Sequence, residues 1–167
     1  SMLQAGDYPS AIKSFVEYIR ISTSKKSIAD ARYNLAEAYR LNNEESKSIK
    51  ELQNFIKDYP DVEKTPVVLS LLGRVFLNKK DYDSSEKYFL ELDKRFNSYK
   101  AEALNGLGSL EIGRQNYEKA RTYFESGSKL FPNNDAMKLG LAKVNFEEER
   151  DDIAVPQLAE IAKSNTG

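Results

Sequence analysis

The stretch NYEKARTYFESGSKLFPNN at 116–134 has a counterpart upstream, DYDSSEKYFLELDKRFNS at 81–98. Both carry a tyrosine, then a small residue three positions on, then a phenylalanine four positions further. The aligned pairs are Tyr82 and Tyr117, Ser85 and Ala120, and Phe89 and Phe124. The small residue recurs along the whole chain, at Ala11, Ser48, Ser85, Ala120 and Ala154. The successive spacings of 37, 37, 35 and 34 residues indicate an internal repeat, which is typical of solenoids.

A second pattern, Leu followed by Ala or Gly, precedes each of the last four small residues by the same distance. Leu35-Ala36, Leu72-Gly73, Leu107-Gly108 and Leu141-Ala142 all begin 13 residues before the small residue. All length variation therefore falls between repeats, where surface turns tolerate insertions. Each repeat is predicted to be a pair of helices, because its apolar residues recur at helical spacing. We expect helices near 9–22, 27–41, 44–58, 65–78, 82–96, 99–113, 117–130, 135–148 and 152–163.

Small residues are expected to let the two helices of a repeat cross closely. The facing pairs are Gly73 with Ser85 and Gly108 with Ala120. Phe89 and Phe124 are then expected to fill the space between neighbouring repeats, and Tyr82 and Tyr117 are assigned to the core as well.

Helix ends carry their own signals. Thr65 is expected to cap the helix that follows it, with Pro66 at the first helical position. Asp151 or Asp152 is expected to cap the last helix. Pro156 falls inside that helix and is expected to delay or kink it.

Composition limits the function. The chain has 167 residues, 40% hydrophobic and 31% charged, with a formal net charge of −1, which is typical of a globular protein. A near-neutral surface is not built for phosphate backbones or anionic lipid, and no apolar run is long enough for membrane insertion. The chain has no Cys and no His, so the usual thiolate, general base and transition-metal ligand are missing. We expect no catalytic residue, no cofactor and no metal site.

Three stretches that look like binding motifs favour a structural interpretation. GLGSLEIG at 106–113 lacks the third glycine of a dinucleotide loop and follows no strand, so it is interpreted as helix packing. EEERDD at 147–152 lacks the turn glycine of a calcium loop and is interpreted as a solvated turn. Lys25-Lys26 and Lys79-Lys80 are interpreted as surface turns, although they could contact an acidic partner or nucleic acid.

The combined pattern resembles the tetratricopeptide repeat, W-x₂-L-G-x₂-Y…A-x₃-F…P. The fourth repeat fits best, with Leu107, Gly108, Tyr117, Ala120, Phe124 and Pro132. The resemblance runs from about Gly6 to Ala162. The Trp of the pattern is absent, and the aromatic residue after Leu-Gly is kept as Tyr39 and Phe76 but is Glu111 and Asn145 later on.

The resemblance implies an all-α fold, a right-handed α-solenoid of stacked antiparallel helix pairs with about four and a half repeats. The array would be a single domain over 1–167, with a lone second helix at 6–24 and repeats at 27–60, 65–97, 99–132 and 135–163. We expect the chain to be a piece of a longer array, because the first repeat lacks a helix and the last lacks a polar cap. Uncapped ends indicate either further repeats or self-association through the ends.

The resemblance also implies where a partner binds. First helices of such arrays line a concave groove that receives a peptide or helix of another protein. Projected onto this chain, the groove would contain Tyr33, Glu37, Arg40, Ser70, Arg74, Asn78, Asn105, Ser109 and Lys143. These residues do not reproduce the Lys- and Asn-rich clamp of the co-chaperone subgroup, so binding of a chaperone tail is disfavoured. The predicted function is a protein–protein interaction scaffold, not an enzyme.

The setting and two alternatives stay open. YPDVEK at 59–64 and the turns between repeats, which are longer by three residues, look similar to repeats of bacterial cell-envelope assembly proteins. This resemblance favours the bacterial periplasm or cell envelope over the cytoplasm. One alternative is a cytoplasmic regulatory module of a longer protein. The other is a helical-repeat RNA-binding module, which would need a basic concave face, so nucleic acid is not favoured.

Overall fold

The computed structural model describes residues 6–164, and the regular elements in that range are all helices. The α-helices are α1 (Tyr8–Ile21), α2 (Lys25–Leu41), α3 (Glu45–Asp58), α4 (Thr65–Asn78), α5 (Tyr82–Arg95), α6 (Lys100–Gly113), α7 (Tyr117–Leu130), α8 (Asp135–Glu147) and α9 (Asp151–Ser164). Each predicted helix is confirmed to within two residues at both ends. A short 3₁₀ helix at Asn97–Tyr99, which the sequence pattern did not indicate, joins α5 to α6.

The chain divides into two compact units, and the division falls inside α4. The N-terminal unit ends at Leu72 and the C-terminal unit begins at Gly73. In the N-terminal unit α2 packs against both α1 and α3. In the C-terminal unit α6 packs against α5, α7 and α8, and α8 packs against α9. Contact of α6 with α8 joins the first helices of two successive repeats.

The repeated small and apolar residues form the core of the N-terminal unit. Ala36 of α2 is fully buried, and Ser48, Leu52 and Phe55 of α3 are buried as well. Ala36 and Ser48 are the small residues that the repeat places in the two helices of one pair. Burial on both helices is what the helical spacing of these residues predicts.

In the C-terminal unit each repeat phenylalanine lies between two glycines. A Cβ built on Gly73 of α4 would lie 2.8 Å from the Phe89 ring, and one built on Gly106 of α6 would lie 2.4 Å from it. Ser85 also donates a hydrogen bond through Oγ to the Gly73 carbonyl oxygen at 2.8 Å. The predicted close crossing of Gly73 and Ser85 is therefore confirmed, and Phe89 fills the space against the next repeat.

Four turns between paired helices share one backbone motif. Each contains a non-glycine residue with φ near +60°: Asn43, Lys80, Gln115 and Glu149. The residue after it donates a hydrogen bond to a carbonyl five residues back, as Asp81 does to Phe76 at 3.0 Å and Asn116 to Glu111 at 2.8 Å. This is the Schellman arrangement, which usually has glycine at the left-handed position.

Two predictions about helix starts are wrong. Thr65 is the first residue of α4, and its hydroxyl accepts a hydrogen bond from the Val62 amide at 3.0 Å and donates one to the Tyr59 carbonyl at 2.9 Å. Thr65 therefore ties the helix to the preceding loop instead of capping it. Asp151 and Asp152 lie inside the first turn of α9, where a carboxylate interacts favourably with the helix dipole.

Pro156 lies within α9, which nevertheless begins at Asp151. The predicted delay of this helix is therefore wrong. A proline costs its helix one backbone hydrogen bond, and the remaining turns of α9 continue to Ser164.

Candidate partner-binding surface

Three of the predicted groove residues lie on one face of α2 in the N-terminal unit. Tyr33, Glu37 and Arg40 follow each other at helical spacing, and Arg40 Nη2 lies 2.9 Å from Glu37 Oε2. This hydrogen bond raises the pKa of Arg40. Lys64 Nζ lies 4.8 Å from the centroid of the Tyr33 ring, a distance at which a cation and a ring attract each other. Burial, with a further contribution from Glu37, raises the pKa of Tyr33.

Ser70 of α4 differs from the other predicted groove residues. Its side chain is 4% exposed, so it offers little surface to a partner. We therefore leave Ser70 out of the candidate surface.

In the C-terminal unit the structure brings three predicted residues together. Asn78 of α4, Ser109 of α6 and Lys143 of α8 line one cavity of about 650 Å³. Arg74 and Asn105 do not line it. Arg74 is largely exposed, with its Nη1 3.8 Å from Glu102 Oε1, and Asn105 is half-buried.

The cavity also has lining residues that the groove projection missed. Lys80 and Gln115 belong to the left-handed turns, and Tyr82 and Tyr117 are the first residues of α5 and α7. The two tyrosines are half-buried, so their assignment to the core holds only in part. The recurrence of turn residues at the repeat spacing was the sequence signal for Lys80 and Gln115. We call the surface formed by Asn78, Lys80, Ser109, Gln115 and Lys143 the C-terminal groove.

The charge of the C-terminal groove comes from lysines. Within residues 6–164, neither Lys80 nor Lys143 has a carboxylate within ion-pair distance. One carboxylate, that of Glu147, lies on the same cavity. Lys80 and Lys143 therefore line the cavity without an ion-pair partner among the described residues, beside the side chains of Asn78 and Gln115.

A buried carboxylate lies in the same unit. Glu111 of α6 stands where earlier repeats have an aromatic residue, and it is 1% exposed. Its Oε1 accepts hydrogen bonds from Lys119 Nζ at 2.7 Å and Arg114 Nη1 at 3.0 Å. Two cations thus compensate the desolvation of this charge.

Arg114 extends this network to α5. It lies 2.8 Å from Glu86 Oε2 and 2.6 Å from Asp83 Oδ1. Burial opposes the charge of the Arg114 guanidinium, but hydrogen bonds with Glu86 and Asp83 raise its pKa. Burial likewise opposes the charge of Glu86, but Arg114 and Lys119 lower its pKa below the ordinary value. These ion pairs connect the C-terminal end of α6 to α5.

Asn145 of α8 is the second polar residue that replaces an aromatic one. Its Oδ1 accepts a hydrogen bond from Arg121 Nη1 at 2.9 Å, and its Nδ2 donates one to Gln157 Oε1 at 2.8 Å. Arg121 also pairs with Glu148. Both buried polar residues therefore bind neighbouring helices, which gives them a structural role.

Residues 6–164 contain no group of three or more potential ligands that could hold a metal ion. No helix in this part of the chain is both long and apolar enough to cross a bilayer.

Comparison with solved structures shows the fold. MamA 41-end from Desulfovibrio magneticus RS-1 has a TM-score of 0.77 at 16% identity, over 97% of this chain and 88% of that one. PilF of Pseudomonas aeruginosa has a TM-score of 0.74 at 21% identity, over 97% and 71%. A tetratricopeptide repeat protein from Parabacteroides merdae ATCC 43184 has 0.76 at 18%, over 97% and 60%. At these identities the likeness concerns the fold alone.

Sequence comparison identifies the family. Residues 30–61 match one tetratricopeptide repeat family, and the overlapping segments 70–125 and 105–166 match another. Comparison with curated proteins finds no match. The chain belongs to the tetratricopeptide repeat family, whose all-α fold supports a protein–protein interaction scaffold.

Proposed function

We propose that this chain is a binding scaffold that captures a peptide or helical segment of a partner protein in the C-terminal groove. The observation that carries the proposal is the shared cavity of Asn78, Ser109 and Lys143. These residues come from three successive first helices, and the family resemblance implies one surface for them.

The chemistry of the groove favours a segment that carries a carboxylate. Lys80 and Lys143 line the cavity without an ion-pair partner in the described range. An acidic side chain or a chain terminus would supply the missing partner and form charge-assisted hydrogen bonds. Asn78 and Gln115 can each donate and accept hydrogen bonds, which suits the amide groups of an extended backbone.

The size of the cavity limits what it can hold. Its volume of about 650 Å³ lies within the range of about 300–1,000 Å³ that is common for pockets of small ligands. A few residues of a partner therefore fit inside it. Tyr33, Glu37 and Arg40 of α2 are proposed as additional contacts on the N-terminal unit.

The cellular setting is proposed from the sequence resemblance of the turns between repeats. The resemblance of 59–64 to bacterial cell-envelope proteins supports a role in cell-envelope assembly, with a cytoplasmic regulatory module as the alternative. In the structure both ends of this loop make contacts. The Thr65 hydroxyl donates a hydrogen bond to the Tyr59 carbonyl, and Lys64 Nζ lies over the Tyr33 ring. Fractionation of cells that express the tagged protein distinguishes the two settings.

Affinity capture with matched variants tests the function. The chain serves as bait in lysate, and each captured protein is mapped with overlapping peptides, whose binding is measured by fluorescence anisotropy. We expect Lys143→Glu combined with Asn78→Ala to weaken binding of the mapped peptide at least ten-fold. Lys94→Glu is the control, because Lys94 is exposed on α5 and lies outside the cavity. Equal affinity of the double variant and the wild type would reject this surface.

A further inference from the structure

The lining of the cavity in the C-terminal groove repeats itself. Every residue that lines this cavity has a repeat equivalent, 34 or 35 residues away, that lines it too. The equivalent pairs are Leu77 with Ile112, Asn78 with Gly113, Lys80 with Gln115, Tyr82 with Tyr117, Ser109 with Lys143, and Gly113 with Glu147. The cavity therefore consists of two halves that lie one repeat apart. We call them the α4–α6 half (Asn78, Lys80 and Ser109) and the α6–α8 half (Gln115, Lys143 and Glu147).

The two halves differ in charge, although their positions are equivalent. Lys80 gives the α4–α6 half a positive charge. In the α6–α8 half Gln115 stands at the position of Lys80, and Lys143 stands at the position of Ser109. Glu147 adds a carboxylate to this half, at a position that is Gly113 one repeat earlier. The first half is therefore basic, whereas the second half carries one charge of each sign.

These charges favour different side chains of a bound segment. A carboxylate in the α4–α6 half can pair with Lys80 in a charge-assisted hydrogen bond. In the α6–α8 half a carboxylate would meet Glu147, and an ammonium group would meet Lys143, so a like charge opposes either of them. A side-chain amide avoids both conflicts, because its oxygen can accept a hydrogen bond from Lys143 and its nitrogen can donate one to Glu147.

The distance between the halves sets the spacing of the two bound residues. The halves are one repeat apart, and α6 packs directly against α8. Packed helices lie about 8–10 Å apart, and an extended chain advances about 3.3 Å per residue. Three residues of extended chain therefore lead from one half to the other. An extended segment also leaves its backbone N–H and C=O groups free for the side chains of Asn78 and Gln115, whereas a helix uses these groups internally.

We infer that the C-terminal groove recognises two side chains of an extended partner segment, an Asp or Glu in the α4–α6 half and an Asn or Gln three positions away in the α6–α8 half. The inference rests on the proposed function and adds to it the sequence that the partner presents. Lys80 selects the acidic residue. Glu147, beside Lys143, selects the amide over an acid.

Selection from a peptide library identifies the preferred sequence. Random 12-residue peptides displayed on phage are selected against the full 167-residue chain. Enriched peptides are synthesised, and their affinities are measured by fluorescence anisotropy. Those that bind the variant Lys143→Glu with Asn78→Ala at least ten-fold more weakly than the wild type are assigned to the groove. We expect them to share an acidic residue and an amide residue three positions apart.

Double-mutant cycles test the role of each half. Replacing the acidic residue of a groove peptide by its amide should weaken binding to the wild type at least five-fold, but binding to Lys80→Gln less than two-fold. Replacing the amide residue by its acid should weaken binding to the wild type at least three-fold. Glu147→Gln should abolish this second loss, because Lys143 then has no carboxylate beside it in the cavity.

Lys79→Gln is the matched control. It removes the lysine next to Lys80, which is exposed and does not line the cavity, so both preferences should be retained. Groove peptides without the two residues at this spacing would overturn the inference, and so would preferences that Lys80→Gln and Glu147→Gln leave unchanged. If no enriched peptide depends on Asn78 and Lys143, the proposed function itself fails, and the inference fails with it.

Discussion

A Cβ built on Gly140 of α8 would lie 2.2 Å from Cε1 of Phe124 in α7. Real Cβ atoms do not approach a ring so closely, so the two helices pack at a distance that only glycine allows. Gly108 contacts the same ring from the other side, where a Cβ would lie 2.5 Å from Phe124 Cζ. The packing around Phe89 and around Phe124 thus depends on one aromatic ring in close contact with two glycine backbones.

This packing predicts a large effect of a side chain at Gly108. Gly108→Leu should lower the free energy of unfolding by roughly 1–3 kcal/mol, because the added atoms overlap the Phe124 ring. Lys87→Leu is the comparison, since Lys87 is exposed on α5, and it should be nearly neutral. Urea denaturation of both variants measures the difference, and equal midpoints would contradict the packing.

The left-handed turns predict a stabilising substitution. Gln115 has φ +62°, a conformation that costs most side chains about 1–2 kcal/mol and glycine nothing. Gln115→Gly should therefore raise the stability by about 0.5–1 kcal/mol, after the greater freedom of glycine in the unfolded chain is subtracted. Gln115→Ala keeps the strained backbone and should show no gain. An equal gain in stability for Gln115→Ala and Gln115→Gly would show that loss of the glutamine side chain, and not relief of backbone strain, causes the gain.

The network around Arg114 predicts how stability depends on pH. Arg114 and Lys119 lower the pKa of Glu86 below its ordinary value in the folded protein. The ionised carboxylate therefore stabilises the fold above the unfolded pKa of about 4.3, and this contribution is lost as the pH falls through the lower folded pKa. In Glu86→Gln the unfolding free energy should fall less steeply between about pH 5 and pH 3. Urea denaturation across that range provides the measurement, and identical slopes would show that Glu86 carries no such linkage.

Predicted groove residues that line the cavity and those that lie outside it are expected to differ in their effect on partner binding. Ser109→Arg places a long side chain in the cavity and should weaken peptide binding at least ten-fold. Arg74→Glu with Asn105→Ala changes predicted groove residues outside the cavity and should weaken it as well, but less. Fluorescence anisotropy measures both, with unchanged circular dichroism as evidence of folding. A larger loss of affinity for the second variant would show that the partner binds at Arg74 and Asn105 and not in the cavity.

The helices could be predicted closely because one pattern is repeated. The spacing from Leu107 to Ala120 equals that from Leu72 to Ser85, so each repeat supports the boundaries assigned to the others. The crossing of small residues followed from the same alignment. The 3₁₀ helix at Asn97–Tyr99 was missed because it lies between repeats, where length varies and no second copy supports it.

The polar network could not be predicted for a different reason. Glu111 and Asn145 depart from the repeat pattern, and the sequence alone does not show whether such a residue faces water or the core. Their burial depends on Arg114, Lys119 and Arg121, which the pattern treats as surface positions. Part of the cavity lining was missed for another reason. Lys80 and Gln115 belong to turns, and helical periodicity predicts nothing about turn residues.

The ion pairs between successive helices also set the order of the repeats. Glu86 meets Arg114, whereas at the equivalent place Arg121 meets Glu148. If α8 took the place of α6 on α5, two carboxylates would meet, and α6 on α7 would bring two guanidinium groups together. Like charges at a half-buried contact disfavour such exchanges. A protein built from near-copies of one motif thereby gains protection against slipped assembly, both during folding and between neighbouring molecules.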